Sequence, residues 1–380
     1  MKKSCSMLLF LVLLFNVFTV SAEFKPETNA KSLLLMEAST GKILYESNSH
    51  ESLPPASVTK VMTMLLICEA IERGEISLNT KITVSEYAKS MGGSTIFLET
   101  NEEMTLDDML KGIAVASAND ACVAVAEHLS GSAENFVALM NKRASELGMK
   151  DTNFINCNGL DADNHYSSAY DIGIMSRELL KHKLIEKYTT IWMDTLRDGK
   201  FQLANTNKLI RFYKGANGLK TGSTSGAGCC ISATANRDGM QLIAVVMGAP
   251  NSKERFAIAS KLLNYGFANY SVIEYGKKGT KATSVYVRNG KSSEMYAVTK
   301  NKTAIIINKS EKDNVKIKIN AEKQISAPVK KGDELGEIII SLNGETLLTS
   351  PLVADRNINK KSAVDYFYGL LKGLFKQSIG

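Results

Sequence analysis

The chain has 380 residues, of which 44% are hydrophobic and 22% are charged; this composition supports two or three packed domains and excludes a disordered chain. The formal charge of +7 is unevenly placed, because residues 23–270 carry 25 basic and 28 acidic side chains whereas residues 271–380 carry 19 and 11. The basic excess lies in a segment with few aromatic residues and no recognisable nucleic-acid module, which argues against nucleic acid as a partner.

The first 22 residues have the pattern of a secretory signal peptide. Two lysines precede an apolar run at 7–20, and a small-residue cleavage site at 20–22 precedes Glu23. The run has 14 residues, fewer than the roughly 20 that span a bilayer, which disfavours the alternative of an uncleaved membrane anchor. We therefore predict that residues 1–22 are removed and that the protein is exported.

The cysteines and histidines disfavour a metal enzyme. Loss of Cys5 with the signal peptide would leave five cysteines, an odd number without CxxC spacing, and the four histidines form no HExxH motif. Cys229 and Cys230 are adjacent in a predicted strand, so their side chains would point to opposite faces. Free, buried thiols are the preferred interpretation.

Residues 23–270 form the first predicted domain after the signal peptide. Alternating leucines at 31–45 indicate a hairpin, and a nearly continuous apolar stretch at 58–71, after Pro54-Pro55, indicates a helix that is buried on most sides. Further predicted elements are helices at 107–130, 133–147 and 168–182 and strands at 228–235 and 240–248. Strands from both ends of the segment, with helices between them, predict an α+β domain.

The next segment, residues 271–356, has a different sequence pattern. Short β-like runs at 283–288, 303–308, 315–319 and 337–342 are separated by Asn-Gly and Lys-Gly-Asp turns. We predict a separate small β-rich domain.

Residues 358–380 are predicted to form an amphipathic helix. Ser362 is a suitable N-cap, with Asp365 three residues later, and Lys372 interrupts any continuous apolar span. One face carries the apolar side chains of Val364, Phe367, Tyr368, Leu371, Leu374 and Phe375. The helix either lies in the plane of a membrane surface or packs on its own domain, and the pattern favours neither strongly.

The first of three candidate motifs is Ser57-Val58-Thr59-Lys60, an SxxK sequence at the start of the predicted buried helix. Serine and lysine three residues apart share a helix face, so the amine can accept the hydroxyl proton if burial and nearby positive charge lower its pKa. N–H groups at the start of the helix could help to stabilise an oxyanion. The alternative is a capping serine beside an exposed lysine.

The other two motifs are Ser117-Ala118-Asn119 and Lys220-Thr221-Gly222. Ser117 lies in a small-residue segment, where its hydroxyl could relay protons and Asn119 could bind a substrate amide. The cation, hydroxyl and glycine at 220–222 would suit an extended peptide with a free carboxylate if they lie on an edge strand. Alone, the first of these motifs is a weak signal that could be a helix cap, because SxN also occurs at 77–79 and 341–343. The second motif alone would be interpreted as a polar strand end.

In this order, SxxK, SxN and KTG resemble the signature of the serine penicillin-recognising enzymes. Among them the chain is similar to the low-molecular-mass penicillin-binding proteins that act as D-alanyl-D-alanine carboxypeptidases, over nearly the whole predicted mature chain. The similarity includes 159–163, 166–168 and 246–248. It implies an α+β fold, namely a penicillin-binding and β-lactamase-like catalytic domain with an antiparallel sheet and helices, followed by a small all-β domain and a C-terminal amphipathic helix.

The same resemblance implies a function. A serine-type carboxypeptidase of this family would remove the terminal D-alanine from peptidoglycan stem pentapeptides ending in D-Ala-D-Ala, at the extracytoplasmic face of the bacterial cell membrane. It would be inhibited by β-lactam antibiotics, would need no metal or organic cofactor, and would contact the membrane surface through the C-terminal helix. The basic C-terminal third is consistent with an anionic membrane.

The resemblance also implies catalytic roles. Ser57 would be the acylated nucleophile, Lys60 the general base, Ser117 a proton relay and Asn119 a substrate ligand. Asn158 and His165 lie in the family's loop beside the cleft, where the sequence assigns them no role.

Substrate binding is implied for the remaining positions. Lys220 and Thr221 would bind the terminal carboxylate, and Gly222 would lie in the strand that lines the cleft. The backbone N–H of Ser223 would form the oxyanion hole together with that of the nucleophile. Arg255 matches a family arginine near the carboxylate, with an ordinary helix-start arginine as the alternative.

Four rival functions remain at this stage. A class A β-lactamase would need a loop glutamate, and no ExxLN pattern occurs between Ser117 and Lys220. A cross-linking transpeptidase usually carries a large additional N-terminal region, whereas Ser57 lies 34 residues after the predicted mature start. A peptidoglycan endopeptidase on the same fold would share all three motifs. An inactive peptide-binding scaffold is disfavoured by the intact Ser57, Lys60 and Lys220.

Overall fold

The structure is a computed structural model that describes residues 24–368. Its strands are β1 (Ser32–Glu37), β2 (Ile43–Ser47), β3 (Lys81–Thr83), β4 (Glu103–Thr105), β5 (Met193–Leu196), β6 (Phe201–Ala204), β7 (Ala216–Thr224), β8 (Gly228–Arg237), β9 (Met240–Ala249), β10 (Tyr270–Gly276), β11 (Lys281–Arg288), β12 (Glu294–Thr299), β13 (Thr303–Asn308), β14 (Val315–Ala321), β15 (Gln324–Ser326), β16 (Glu334–Leu342) and β17 (Glu345–Ala354). The predicted signal peptide lies outside the described residues.

The described α-helices are mostly in the first two thirds of the chain. They are α1 (Lys60–Glu72), α2 (Glu86–Lys89), α3 (Leu106–Lys111), α4 (Asn119–Ser130), α5 (Ala133–Glu146), α6 (Ala169–Leu179), α7 (Glu186–Thr189), α8 (Leu209–Phe212) and α9 (Ser252–Asn269). Short 3-10 turns occur at Ala56–Thr59, Lys183–Ile185 and Lys309–Asn314, and a π-helical turn occurs at Gly112–Ala116.

A five-stranded antiparallel sheet organises the first part of the molecule. Its order is β2-β1-β9-β8-β7, so strands from both ends of the segment meet, as the sequence predicts. One face of the sheet packs against α1 and α6 and the other against α9. Strand β7 lies at the edge and leaves one side of its backbone without a neighbouring strand in the sheet.

Helix α1 is the centre of the larger core. Ten of its thirteen residues are buried, because its apolar side chains are distributed around the whole helix and do not form a single stripe. Residues of α4, α5 and α6 belong to the same apolar cluster. Lys60, at the start of this helix, is fully enclosed.

The predicted helix at 107–130 is interrupted. Helix α3 passes into the π-helical turn, and Ser117 then adopts the left-handed conformation with φ +66° before α4 begins at Asn119. Such a backbone costs a non-glycine residue about 1 kcal/mol or more. The break lifts the SxN motif out of a regular helix and leaves it at the start of α4.

The C-terminal part is β-rich, as predicted. A six-stranded sheet has the order β14-β16-β17-β12-β11-β15 and is antiparallel except for the β11–β15 pair. A separate antiparallel pair, β10 and β13, connects it to the first part of the molecule. Ile306 of β13 belongs to the core against α9, whereas Ile305 and Ile307 belong to the core of the C-terminal sheet.

A short helix at 363–368 follows the last strand. Ser362 caps it as predicted: the Asp365 N–H donates to Ser362 Oγ at 3.2 Å, and the Ser362 N–H donates to the Asp365 carboxylate at 2.7 Å. Val364, Phe367 and Tyr368 are each more than half exposed. The rest of the predicted amphipathic helix lies outside the described residues. Within 24–368, no helix combines the length and the apolar character that crossing a membrane requires.

Candidate active site

The SxxK motif straddles two kinds of helix. Ser57 lies in the 3-10 turn Ala56–Thr59, and Lys60 is the first residue of α1. The tight turn still brings the two side chains together, with Lys60 Nζ 2.9 Å from Ser57 Oγ. Ser57 is partly exposed and Lys60 is buried, so the hydroxyl faces the surface and the amine lies behind it.

The Lys60 amine has two further contacts, and both partners can only accept a hydrogen bond. It donates to Asn119 Oδ1 at 2.6 Å and to the main-chain oxygen of Asn158 at 2.5 Å. A neutral amine has two hydrogens and one lone pair. When it donates to these two oxygens, its lone pair is left for the Ser57 hydroxyl.

Burial lowers the pKa of the Lys60 amine, although two buried thiols and the Asp120 carboxylate act in the opposite direction. Removal from water disfavours the charged ammonium form because no solvent remains to stabilise it. The lower pKa increases the fraction of Lys60 that can accept a proton near neutral pH.

The SxN motif supplies Asn119 directly and Ser117 by proximity along the chain. Asn119 Nδ2 donates to the Gly92 oxygen at 2.7 Å, and its N–H donates to the Ser94 oxygen at 2.7 Å. These bonds fix the amide so that Oδ1 faces Lys60. Ser117 is 5% exposed, and within 24–368 its hydroxyl forms no hydrogen bond with Lys60 or any other residue.

The KTG motif lies on edge strand β7. Lys220 is buried, and its amine donates to the Thr221 main-chain oxygen at 2.8 Å. Thr221 Oγ1 donates to Thr206 Oγ1 at 2.8 Å. Burial, with the nearby Lys60 and Arg255 charges, holds the pKa of Lys220 well below its usual range. An arriving carboxylate would favour the protonated form of this lysine.

Gly222 brings β7 against the nucleophile. A Cβ added to Gly222 would lie 2.8 Å from Ser57 N and 2.9 Å from the Ala56 Cβ, closer than non-bonded atoms approach in folded proteins. Only glycine therefore fits this position without displacement. The next residue, Ser223, is exposed, and its hydroxyl lies 3.6 Å from Cys229 Sγ. The Ser223 backbone is therefore adjacent to the point where Gly222 approaches the Ser57 nitrogen.

Arg255, in α9, contacts main-chain atoms. Its Nη1 donates to the oxygens of Gly222 at 3.0 Å and Cys230 at 3.3 Å, and its Nη2 donates to Ser252 Oγ at 3.0 Å. Among residues 24–368, no side-chain hydrogen bond joins Arg255 to Lys220 or Thr221. Its bonds thus support β7 and its neighbour β8 at the cleft.

Sequence analysis missed the contribution of Asn158, Gly159 and Thr206. Asn158 acts through its main-chain oxygen, which no side-chain motif reveals. Gly159 has φ +84°, and a Cβ there would lie 2.0 Å from the Ala56 oxygen. The glycine itself was the available signal. Thr206 is brought to β7 by a loop that has no distinctive sequence pattern.

The five described cysteines are all free. Cys68, Cys122, Cys157 and Cys230 are buried, whereas Cys229 is partly exposed, so the prediction of buried thiols is wrong for that one position. Cys229 lies opposite Ser223 in the β7–β8 register, near the end of the sheet where cover is incomplete.

Comparison with known proteins identifies both parts of the chain. A family model described as D-alanyl-D-alanine carboxypeptidase, peptidase family S11, matches residues 17–251. A second model, described as penicillin-binding protein 5, C-terminal domain, matches residues 270–360. The D-alanyl-D-alanine carboxypeptidase DacF of Bacillus subtilis is 48% identical over 341 residues, which are 89% of this chain and 88% of that protein.

Solved structures of penicillin-binding proteins are also similar to this chain. Penicillin-binding protein 5 from Haemophilus influenzae has a TM-score of 0.76 at 32% identity, over 89% of this chain and 99% of that chain. Penicillin-binding protein D2 from Listeria monocytogenes, solved in the ampicillin-bound form, has a TM-score of 0.58 at 31% identity, over 63% of this chain and 98% of that chain. The predicted resemblance and fold class are confirmed. The chain belongs to the D-alanyl-D-alanine carboxypeptidase family of serine peptidases and has the fold of the low-molecular-mass penicillin-binding proteins.

Proposed function

We propose that this protein is a serine-type D-Ala-D-Ala carboxypeptidase that removes the terminal D-alanine from peptidoglycan stem pentapeptides. One observation carries the proposal: the buried Lys60 amine lies 2.9 Å from Ser57 Oγ and has acceptor-only partners on its other contacts. This arrangement activates a hydroxyl that is otherwise a weak nucleophile. The names of the relatives support the same activity.

In the first step, Ser57 Oγ attacks the carbonyl carbon between the last two D-alanines. Lys60 accepts the hydroxyl proton as the new C–O bond forms. The carbonyl oxygen becomes an oxyanion, which the N–H groups of Ser57 and Ser223 stabilise. The proximity of Gly222 to the Ser57 nitrogen supports this role for the two neighbouring backbones.

The C–N bond then breaks and the amine of D-alanine takes up a proton. Ser117 relays that proton from Lys60, and Asn119 holds the peptide amide as well as the lysine. Lys220 and Thr221 bind the terminal carboxylate, a charge-assisted contact that selects peptides with a free C-terminus. Arg255 acts on the carboxylate site through the Gly222 carbonyl that it holds.

In the second step, water attacks the Ser57 ester. Lys60 removes a proton from the water and passes it to Ser57 Oγ as the ester C–O bond breaks, and the shortened peptide leaves as a carboxylic acid that loses its proton to solvent. Ser57 regains its hydroxyl hydrogen, so atoms and charges return to the starting state. β-Lactams would acylate the same serine, and the ampicillin-bound relative supports this expectation.

The test uses wild-type protein, Ser57→Ala and the control Ser225→Ala, an exposed serine on the turn after β7. Each protein is incubated with labelled penicillin and, separately, with a pentapeptide ending in D-Ala-D-Ala. We expect an adduct and released D-alanine from wild type and Ser225→Ala, and neither from Ser57→Ala. Absence of both from wild type would overturn the proposal.

The same assay separates the rival functions. Rapid turnover of penicillin without peptide cleavage would indicate a β-lactamase. Cleavage of cross-linked dimers at a higher rate than of pentapeptides would indicate an endopeptidase. An intact fold with neither adduct nor cleavage would indicate a peptide-binding scaffold.

We further infer that the protein acts at the extracytoplasmic membrane surface. Residues 1–22 would direct export, residues 23–270 would carry the chemistry, residues 271–356 would act as a spacer, and the helix within 358–380 would lie on the membrane. The exposed Val364, Phe367 and Tyr368 support this assignment, together with the basic C-terminal third. Deletion of 363–380, which leaves the buried Ile358 in place, should abolish flotation of the mature protein with anionic vesicles; unchanged flotation would contradict the inference.

A further inference from the structure

The peptide bond that precedes Ser57 is held in place by contacts to its carbonyl oxygen. Ala56 has φ +48°, a backbone conformation that residues other than glycine rarely adopt and that surrounding contacts must maintain. Its oxygen accepts a hydrogen bond from Thr59 Oγ1 at 2.8 Å, and Gly159 packs directly against that oxygen. The Ala56 carbonyl therefore has a fixed direction.

That direction also fixes the Ser57 N–H. A trans peptide is planar, with its C=O and N–H on opposite sides. A hydrogen bond to the Ala56 oxygen therefore determines where the next N–H points, and a Cβ added to Gly222 would lie 2.8 Å from this nitrogen. Under the proposed function, this N–H is one of the two oxyanion donors.

Thr59 is in turn oriented by His165. The Ile155 N–H donates to His165 Nδ1 at 2.9 Å, so Nδ1 carries no hydrogen and Nε2 must carry it in the neutral ring. Nε2 lies 2.9 Å from Thr59 Oγ1 and donates to it. The threonine hydrogen is then free for the Ala56 oxygen, and the hydrogen bonds run in a single direction.

Burial keeps this ring neutral. His165 is 4% exposed, and desolvation lowers the pKa of its imidazole to about 4, against a smaller effect of Asp161 in the other direction. A protonated ring would lose the acceptor for Ile155. The neutral form is the one that the hydrogen bonds require.

We propose that His165 and Thr59 are positioning residues that set the direction of the Ser57 N–H through the Ala56 carbonyl. The proposal rests on the proposed function and extends it to two residues that the SxxK, SxN and KTG motifs leave without a role. Neither side chain touches the substrate; both act by keeping an oxyanion donor aligned before the reaction begins.

An isosteric substitution at Thr59 tests the proposed positioning role. Thr59→Val removes the hydroxyl and keeps the shape of the side chain, whereas Thr59→Ser keeps the hydroxyl and removes the methyl group. Thr299→Val is the matched control, because the Thr299 hydroxyl is also buried, accepts from the Thr280 N–H at 3.0 Å and donates to the Lys277 oxygen at 2.5 Å, but lies in the C-terminal part. The measurements are kcat and KM for D-alanine release, the penicillin acylation rate and the melting temperature.

We expect Thr59→Val to lower kcat and the acylation rate about 10- to 100-fold, since a misaligned donor forfeits part of the oxyanion stabilisation, with little change in KM. Thr59→Ser should stay within about threefold of wild type, and Thr299→Val should lower the melting temperature without slowing acylation. A Thr59→Val protein that acylates as fast as Thr299→Val would overturn the proposal, as would a Thr59→Ser protein as slow as Thr59→Val.

His165 provides a second pair if Thr59→Val does not fold. His165→Gln keeps a donor near Nε2, whereas His165→Asn keeps only an acceptor near Nδ1, so the asparagine variant should be the slower enzyme. Equal rates for the two would contradict the proposal. A wild-type protein without a Ser57-dependent adduct would overturn the proposed function instead, which keeps the two failures distinct.

Discussion

At the scale of single residues, the site depends on lysines that are kept out of water. Lys60 and Lys220 are both buried, and burial lowers the pKa of each. An exposed lysine would hold its proton throughout the neutral range and could not serve as a base. Enclosure by the core around α1 therefore makes Lys60 chemically useful.

The pH dependence of acylation should report the Lys60 amine. Because the base form increases above the lowered pKa, the penicillin acylation rate should rise with pH and level off below pH 10.5, the ordinary lysine value. Stopped-flow or quench measurements between pH 5 and 10 would follow this. A rate that is flat over this range, or that rises only near the ordinary value, would contradict the assignment.

Lys60→Arg is the matched control for that profile. A guanidinium keeps its proton at every accessible pH, so the variant should form no measurable adduct across the range. Adduct formation at the wild-type rate would show that residue 60 is not the base.

The side chains of the site were more predictable than its main chain. Ser57, Lys60 and Asn119 follow from motif spacing, and the structure brings them into direct contact. The Asn158 oxygen and the Ala56 carbonyl could not be predicted, because every residue carries a carbonyl and only tertiary packing decides which ones face the site. His165 was noted in the sequence without a role, since its function depends on two partners distant in the chain.

At the scale of elements, the cleft is the contact between edge strand β7 and the turn that precedes α1. Gly222 allows that contact because it has no side chain. Sequence patterns predict the hairpin of β1 and β2, strands β8 and β9 and helices α1, α5 and α6, whereas they do not predict the 18-residue helix α9. The sequence places Ser117 in a small-residue segment but predicts a helix over 107–130, because the apolar pattern continues across the break. The left-handed backbone of Ser117 produces the break, and α4 then begins with Asn119, which contacts Lys60.

Gly222→Ala should separate activity from folding. The added methyl would meet the Ser57 nitrogen and the Pro55 oxygen at about 3 Å, so β7 must move outward and the oxyanion donors must separate. We expect at least a tenfold loss in acylation rate and a loss of about 1 to 3 kcal/mol in unfolding free energy. Acylation assays and urea unfolding would measure both.

Ser225→Ala is the control for this prediction, because it changes a small side chain on the exposed turn after the same strand. It should leave the acylation rate within about twofold of wild type and the stability within about 0.5 kcal/mol. A Gly222→Ala protein with the same rate as this control would show that β7 does not closely abut the nucleophile.

At the scale of the whole molecule, the strand pair β10–β13 connects the five-stranded sheet to the six-stranded sheet. Strand β13 carries apolar side chains on both of its faces. Ile306 packs on the side of α9, while Ile305 and Ile307 pack on the C-terminal sheet. Polar bonds add to the junction: Lys42 Nζ donates to the Ile306 oxygen at 3.3 Å, and Lys309 Nζ donates to the Phe267 oxygen at 2.6 Å. The sequence indicates two units but not how firmly they are joined.

Ile306→Ala should weaken this junction. Ile306 is 4% exposed, and removal of its buried methyl and methylene groups should cost about 3 kcal/mol of unfolding free energy. Penicillin acylation at room temperature should be unchanged, because Ile306 belongs to the core against α9, whereas the cleft is formed by β7 and the turn before α1. Denaturant unfolding should then show two separated transitions, whereas we expect a single transition for the wild type.

Ile317→Ala is the comparison, since Ile317 lies on strand β14 and is 43% exposed. Its cost should be below about 1 kcal/mol, with a single transition retained. Equal stability of the two variants would mean that the β10–β13 pair contributes little to the coupling of the two parts.

The two-faced strand β13 has a consequence for which stem peptides the enzyme can reach. Because neighbouring residues of this strand belong to two different cores, bending between the two parts would have to disrupt apolar packing. If the helix beginning at 363 rests on a membrane as proposed, the height and tilt of the Ser57 cleft above that membrane are set by the fold. The enzyme would then trim peptides within one layer of the wall, and location would select the substrate before affinity does.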